Sequence, residues 1–155
     1  MQLTWFTDYG LRLLLYAAAH PDRRVTVAEV ASAYQISRDH LMKVSQRLTQ
    51  LEIILATRGR GGGVQLALDP ANIRLGAVVR ALEPDLSLVE CFNPLTNTCR
   101  ISTACRLKGA LFRARRAFFD SLDEHTLADV VGDPDTLRAL WTSAPPGSEV
   151  ATQSP

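Results

Sequence analysis

The chain has 155 residues, of which 46% are hydrophobic, and a formal net charge of +1 at pH 7. This length allows one domain, or one domain with an extension. The near-neutral total gives no support to nucleic-acid binding from overall charge. No apolar run approaches the roughly 20 residues of a membrane span, and no signal-peptide pattern is present. We therefore expect a cytoplasmic protein without a membrane partner.

Two amphipathic helices are predicted at the start of the chain. The first has apolar residues at i, i+3, i+4 and i+7 counted from Leu11, which is the pattern of one helical face. Thr7 or Asp8 is the predicted N-cap, and Pro21 follows the end of this helix. The second helix begins at residues 26–29, where Thr-Val-Ala-Glu matches a capping box.

The third predicted helix follows a short turn and has an apolar inner face and a polar, basic outer face. Two short helices joined by a tight turn are typical of a helix-turn-helix motif. We predict that the outer face contacts base edges and phosphates in the DNA major groove. A merely solvated face is the alternative. The candidate DNA-binding residues on this helix are Ser37, Arg38, His40, Lys43 and Arg47.

Two strands are predicted over residues 53–57 and 64–68, joined by the tip Arg-Gly-Arg-Gly-Gly-Gly. A helix-turn-helix followed by a basic hairpin is the layout of a winged helix, which favours the DNA interpretation over a solvated helix face. Arg58 and Arg60 are expected to enter a narrow minor groove, where the negative potential is strongest. A nucleotide-phosphate loop is disfavoured because no Gly-Lys-Ser/Thr follows the glycines.

A long helix is predicted from about Arg106, after a helix over residues 76–83 and a polar loop. Its apolar stripe consists of Leu107, Leu111, Ala114, Phe118 and Leu122. Because the preceding domain is already complete, a protruding stripe needs a partner, most simply a second copy of the chain. The predicted assembly is a homodimer, and the alternative is a helix that folds back on its own domain.

The chain has three cysteines, Cys91, Cys99 and Cys105, separated by seven and five residues. Three thiols cannot all pair into disulfides, and clustered cysteines in a reducing compartment more often bind metals. The C-x₂-C pairs of structural zinc sites are absent, so the wider spacing favours an iron–sulfur cluster. Three inert thiols remain the alternative. An acidic side chain is a candidate for the missing fourth ligand, and such an oxygen ligand would be replaceable, as a sensor requires.

Four segments resemble the Rrf2 family of winged-helix regulators, and within it the repressors that sense nitric oxide. They are Phe6-Thr-Asp-Tyr-Gly-Leu-Arg12, Arg58-Gly-Arg-Gly-Gly-Gly63, Leu82-Glu-Pro84 and Cys105-Arg-Leu-Lys108. The resemblance implies a homodimer on a palindromic double-stranded DNA operator. It also implies a four-iron four-sulfur (4Fe-4S) cluster, in preference to a 2Fe-2S cluster, on the three cysteines and on Asp8 of the other subunit. The family branch that regulates cluster assembly has a histidine where this chain has Lys108.

The sequence therefore predicts a mainly α fold with a small β-hairpin wing. The predicted parts are a winged helix-turn-helix domain (1–84), a cluster-binding loop (85–106), a dimerisation helix with the following segment (107–131) and a disordered tail (143–155). The expected function is transcriptional repression relieved by nitric oxide. The alternatives are a regulator that responds to cluster supply or redox state, and a zinc-stabilised structural module. No enzyme is expected, because no nucleophile–base or paired-carboxylate arrangement stands out.

Overall fold

The computed structural model describes residues 2–143. Within this range the fold is mainly helical with one two-stranded antiparallel sheet, which confirms the predicted fold class. The elements are α1 (Trp5–Ala18), α2 (Val27–Tyr34), α3 (Arg38–Gln50), β1 (Ile54–Thr57), β2 (Gly63–Leu66), α4 (Leu75–Leu82), α5 (Arg106–Asp123), α6 (Leu127–Val131) and α7 (Pro134–Thr142), with 3₁₀ turns at Pro70–Asn72 and Glu90–Phe92. Apart from Ser143, the predicted disordered tail lies outside the described residues.

The start of α1 differs from the prediction. Thr4 is the N-cap, and its Oγ1 accepts a hydrogen bond from the backbone N–H of Thr7 at 3.3 Å. Thr7 and Asp8 therefore lie inside the first turn, and the predicted cap was wrong. Glu83 Oε1 accepts the backbone N–H of Thr4 at 2.8 Å, so the start of α1 is held against the end of α4. On α1, Gly10 allows this contact, because a Cβ there would come within 2.5 Å of Leu82 Cδ1.

The helix-turn-helix forms from local signals, as predicted. Thr26 caps α2 in a complete capping box with Glu29. Gln35 ends α2 in the left-handed conformation, with φ of 53°, and allows the chain to turn sharply. Ser37 then caps α3, and its Oγ accepts the backbone N–H of His40 at 3.4 Å. The inner faces of both helices are fully or almost fully buried and consist of Val30, Ala31, Leu41, Val44 and Leu48.

The hairpin is slightly shorter than predicted. β1 pairs with β2 from Ile54 opposite Leu66 to Thr57 opposite Gly63. Val25, just before α2, exchanges two backbone hydrogen bonds with Val64, at 2.9 and 2.8 Å. These bonds fix the hairpin beside the helix-turn-helix, so the position of the tip relative to α3 is defined.

The long helix α5 contacts α4 through its C-terminal half. Arg80 of α4 donates two hydrogen bonds to the Asp123 carboxylate, at 2.8 and 2.5 Å, and its guanidinium lies 4.6 Å from the centre of the Phe119 ring. Phe119 is the buried side chain of α5. Leu107 and Phe112, in the N-terminal half, are 65% and 51% exposed. The alternative, in which α5 folds back on its own domain, therefore applies to the C-terminal half of this helix.

Two short helices that were not predicted from the sequence follow α5. α6 begins with a capping box at Thr126. α7 returns the chain to the helix-turn-helix, where the Trp141 ring lies 4.6 Å from Tyr16 and 5.5 Å from Tyr34, centre to centre. Arg138 of α7 also donates a hydrogen bond to the carbonyl of Ala19, next to the end of α1.

No helix in the described part of the chain is both long and apolar enough to cross a membrane.

Candidate DNA interface and cysteine loop

A groove of about 930 Å³ lies between the outer face of α3 and the hairpin. One wall of the groove consists of α3 side chains that recur at helical spacing. The start of the hairpin tip forms the opposite wall. The exposed α3 residues that line it are Arg38, Asp39, Met42, Lys43, Gln46 and Gln50, and the tip contributes Arg58 and Gly59. Three cations face one carboxylate among these side chains, so the groove is locally positive although the chain as a whole is nearly neutral.

The chemistry of this lining suits base recognition. Arginine and lysine match the acceptors of guanine, glutamine matches adenine, and a carboxylate accepts from the amino group of cytosine. Gln46 and Asp39, on the α3 wall, therefore have the chemistry to contact base edges. Met42 is 51% exposed and lines the same groove. An apolar side chain at this place can contact a thymine methyl group.

The structure brings together only some of the residues predicted to bind DNA. Arg38, Lys43 and Arg58 line the groove, whereas the other four candidates do not belong to its lining. The Ser37 hydroxyl is used as a helix cap. His40, Arg47 and Arg60 are exposed outside the groove, where a phosphate contact is still open to them. Their DNA roles therefore stay predictions.

Asp39 and Met42 were missed as DNA candidates because the sequence reading selected basic and small polar residues. A helical projection would have found them. At about 100° per residue, residues 39, 42 and 46 lie opposite the buried face formed by residues 41, 44 and 48. For these two residues, the outward direction of the side chain was the usable signal, whereas positive charge was not.

The three cysteines lie half-buried and free in the segment between α4 and α5. Cys91 is part of the Glu90–Phe92 turn. The backbone N–H of Cys99 donates to Asn97 Oδ1 at 3.0 Å. Cys105 is the N-cap of α5, and its Sγ accepts the backbone N–H of Lys108 at 3.4 Å. None of the thiols belongs to the hydrophobic core.

Within residues 2–143, no group of three or more histidine, cysteine or acidic side chains is close enough together to hold a metal ion. The predicted ligand set is therefore not assembled in the single chain. Its donor chemistry nevertheless fits an iron–sulfur cluster, because free thiols are the usual ligands of such clusters. The segment also contains only one 3₁₀ turn, so few regular backbone hydrogen bonds oppose its rearrangement. The ligands remain a prediction.

Asp8, the predicted fourth ligand, lies half-buried on the first turn of α1. Its carboxylate pairs with Arg12 at 2.9 and 3.1 Å, and its side chain is 44% exposed. It borders a second groove of about 610 Å³ together with Trp5 and Tyr34. A carboxylate at the edge of an open groove is accessible to a second copy of the chain.

The helix-turn-helix and the hairpin, which line one positive groove, define a winged-helix DNA-binding protein. The profile of the family described as "Rrf2: Iron-dependent Transcriptional regulator" matches residues 3–133. The chain belongs to this family. It is a DNA-binding transcriptional regulator and not an enzyme.

Similar proteins agree with this assignment. The chain is 49% identical over 141 residues to the HTH-type transcriptional regulator NsrR of Shouchella clausii, with 90% of this chain and 95% of the relative covered. It is 48% identical over 146 residues to NsrR of Halalkalibacterium halodurans, covering 94% and 100%. The solved structure of T. potens IscR superposes with a TM-score of 0.70 at 22% identity, covering 89% of this chain and 91% of the other. The last similarity concerns the fold alone.

Proposed function

We propose that the chain is a homodimeric repressor that holds a 4Fe-4S cluster and leaves a palindromic operator when nitric oxide reacts with that cluster. Cys91, Cys99 and Cys105 would be ligands from one subunit, and Asp8 the ligand from the other. The observation that carries the proposal is the set of three free thiols on the segment that enters α5. The similarity of the chain to relatives named NsrR adds support.

When bound, the cluster would supply iron atoms that react with nitric oxide. The role of the chain is to connect this reaction to the DNA-reading elements. The cysteine segment is held at both ends: Glu83 binds the start of α1 at Thr4, and Cys105 forms the start of α5. A rearrangement of the segment would therefore displace two helices that position the winged helix within the dimer.

The dimer is supported by the exposed apolar residues near the start of α5. Ile101 and Leu107 are each 65% exposed, and Phe112 is 51% exposed. A second copy that covers these side chains would remove apolar surface from water, which stabilises the assembly. Two-fold symmetry of the protein matches a palindromic operator, with half-sites about 34–36 Å apart.

Anaerobic purification followed by iron and sulfide analysis tests the cofactor. We expect about four irons and four sulfides per chain and a brown protein with a visible absorbance band. A serine substitution at Cys99 should abolish the band while the helical circular dichroism is retained. A colourless protein containing zinc would contradict the proposal and support the structural-module alternative.

A mobility-shift assay with an operator selected from random duplexes tests the response. We expect nitric oxide to weaken binding about 5–150-fold, the range of a coupling of 1–3 kcal/mol. Peroxide and oxygen serve as comparison effectors, and a stronger response to them would favour the redox alternative. Unchanged binding after nitrosylation would refute nitric-oxide sensing.

The Asp8→Asn variant tests the fourth ligand. We expect faster cluster loss and an altered nitric-oxide response, because the amide is a poorer ligand than the carboxylate. The matched control is Asp22→Asn, at an exposed aspartate outside both grooves. Equal cluster lifetimes in both variants would remove Asp8 from the site.

A further inference from the structure

Arg115, in the middle of α5, contacts the cysteine segment at two points and also packs on Phe112 of its own helix. Its guanidinium carbon lies 4.7 Å from the centre of the Phe92 ring and 5.0 Å from that of Phe112. Its Nη1 donates a hydrogen bond to the carbonyl of Leu86 at 3.3 Å. One side chain thus joins the loop after α4, the 3₁₀ turn that contains Cys91, and α5 itself.

The neighbouring arginines of α5 have a different environment. Arg113 and Arg116 are exposed, and Arg116 forms an ion pair with Asp120 one turn along the helix, at 3.5 Å. Arg115 is half-buried and forms no ion pair among the described residues. Its guanidinium group instead stacks on two aromatic rings and donates a hydrogen bond to a loop carbonyl.

We propose that Arg115 is a positioning residue for Cys91. Phe92 follows Cys91 directly in the Glu90–Phe92 turn, so a ring held on the guanidinium fixes the adjacent thiol. The proposal concerns the cluster site and in that respect rests on the proposed function. The contacts between Arg115 and the loop, however, are present in the chain without any cluster.

The other two thiols are positioned by different contacts. Cys105 is set by the start of α5, and Cys99 by its hydrogen bond to Asn97. Loss of the Arg115 contacts should therefore release Cys91 selectively. A planar guanidinium can stack on an aromatic ring and donate hydrogen bonds in its plane at the same time, whereas a lysine ammonium cannot reproduce this geometry.

The first experiment measures alkylation of the metal-free, reduced full-length protein by iodoacetamide, resolved by mass spectrometry at each cysteine. We expect Arg115→Ala to raise the rate ratio of Cys91 to Cys105 on the order of tenfold, the effect of losing partly buried cation–π contacts. Arg113→Ala, on the same helix and outside these contacts, should keep the wild-type ratio. Arg115→Lys should also raise the ratio, because it retains only the charge.

An unchanged ratio in Arg115→Ala, or equal acceleration of all three cysteines, would overturn the proposal. A wild-type ratio in Arg115→Lys would overturn ring stacking as its basis. If Arg115→Ala does not fold, as judged by circular dichroism, the ratio in Arg115→Lys decides by the same criterion.

The second experiment loads the protein with its cluster anaerobically and follows the loss of visible absorbance in the presence of an iron chelator. We expect faster loss in Arg115→Ala than in Arg113→Ala, and equal rates would contradict a role of Arg115 at the cluster. If the wild-type protein takes up no cluster, the proposed function fails, while the alkylation ratio still decides whether Arg115 holds Cys91.

Discussion

Replacement of Gln46 by alanine should change which base pairs the protein prefers. Gln46 lies on the groove wall formed by α3, and Arg47, the next residue, is exposed outside that groove. A bidentate base contact contributes about 1–3 kcal/mol of discrimination, so we expect Gln46→Ala to reduce preference at one operator position by about 5–150-fold per half-site. Because glutamine is uncharged, the salt dependence of binding should stay unchanged.

Arg47→Ala is the matched control, since it removes a charge from the same turn of α3. If Arg47 contacts a phosphate, its loss should weaken binding evenly across sequences and lower the salt slope by about 0.9 for each subunit. Fluorescence anisotropy against single-base operator variants, at several salt concentrations, measures both effects. Base preference unchanged in Gln46→Ala, or altered mainly in Arg47→Ala, would refute the groove assignment.

Two further predictions concern stability. Gly10→Ala should lower the melting temperature by about 3–8 °C, because the added methyl group overlaps the buried side chain of Leu82 and such overpacking costs about 1–3 kcal/mol. Gly109→Ala, with only Arg113 within 4 Å, should instead raise it, since alanine favours a helix; a fall there would contradict the packing argument. The hydrogen bond from Arg23 lowers the pKa of Glu29 below its ordinary 4.5. This carboxylate therefore stabilises the fold above about pH 4.5 and ceases to do so as the pH falls through its lower folded-state pKa. Urea unfolding of Glu29→Gln should show a smaller loss of stability over that acid range, and an unchanged loss would refute the assignment.

The parts of the fold that depend on local chemistry were predictable. Thr26 and Ser37 are followed by helical patterns, and each is a cap. The start of α1 was not predictable in the same way, because residues 4, 7 and 8 are all acceptable caps. The choice among them depends on Glu83, which is distant in sequence and contacts Thr4 only in the folded chain.

The candidate site likewise has features that follow from local sequence and features that depend on contacts between distant residues. The basic hairpin and the polar helix face were visible in the sequence, since each is a continuous segment. Which α3 residues share a groove with the hairpin depends on the bonds between Val25 and Val64, which no local pattern indicates. Within residues 2–143 the thiols are not brought together, and in the function that we propose their assembly would require a cofactor and a second subunit.

The contact of α7 with α1 and α2 extends the folded unit beyond the part of the chain that the family profile matches. The family profile ends at residue 133, yet Trp141 lies beyond it and covers Tyr16 and Tyr34. A fragment cut at the family boundary would expose these two rings to water, close to the turn that leads into α3. Expression of the DNA-reading part on its own should therefore extend at least through Thr142.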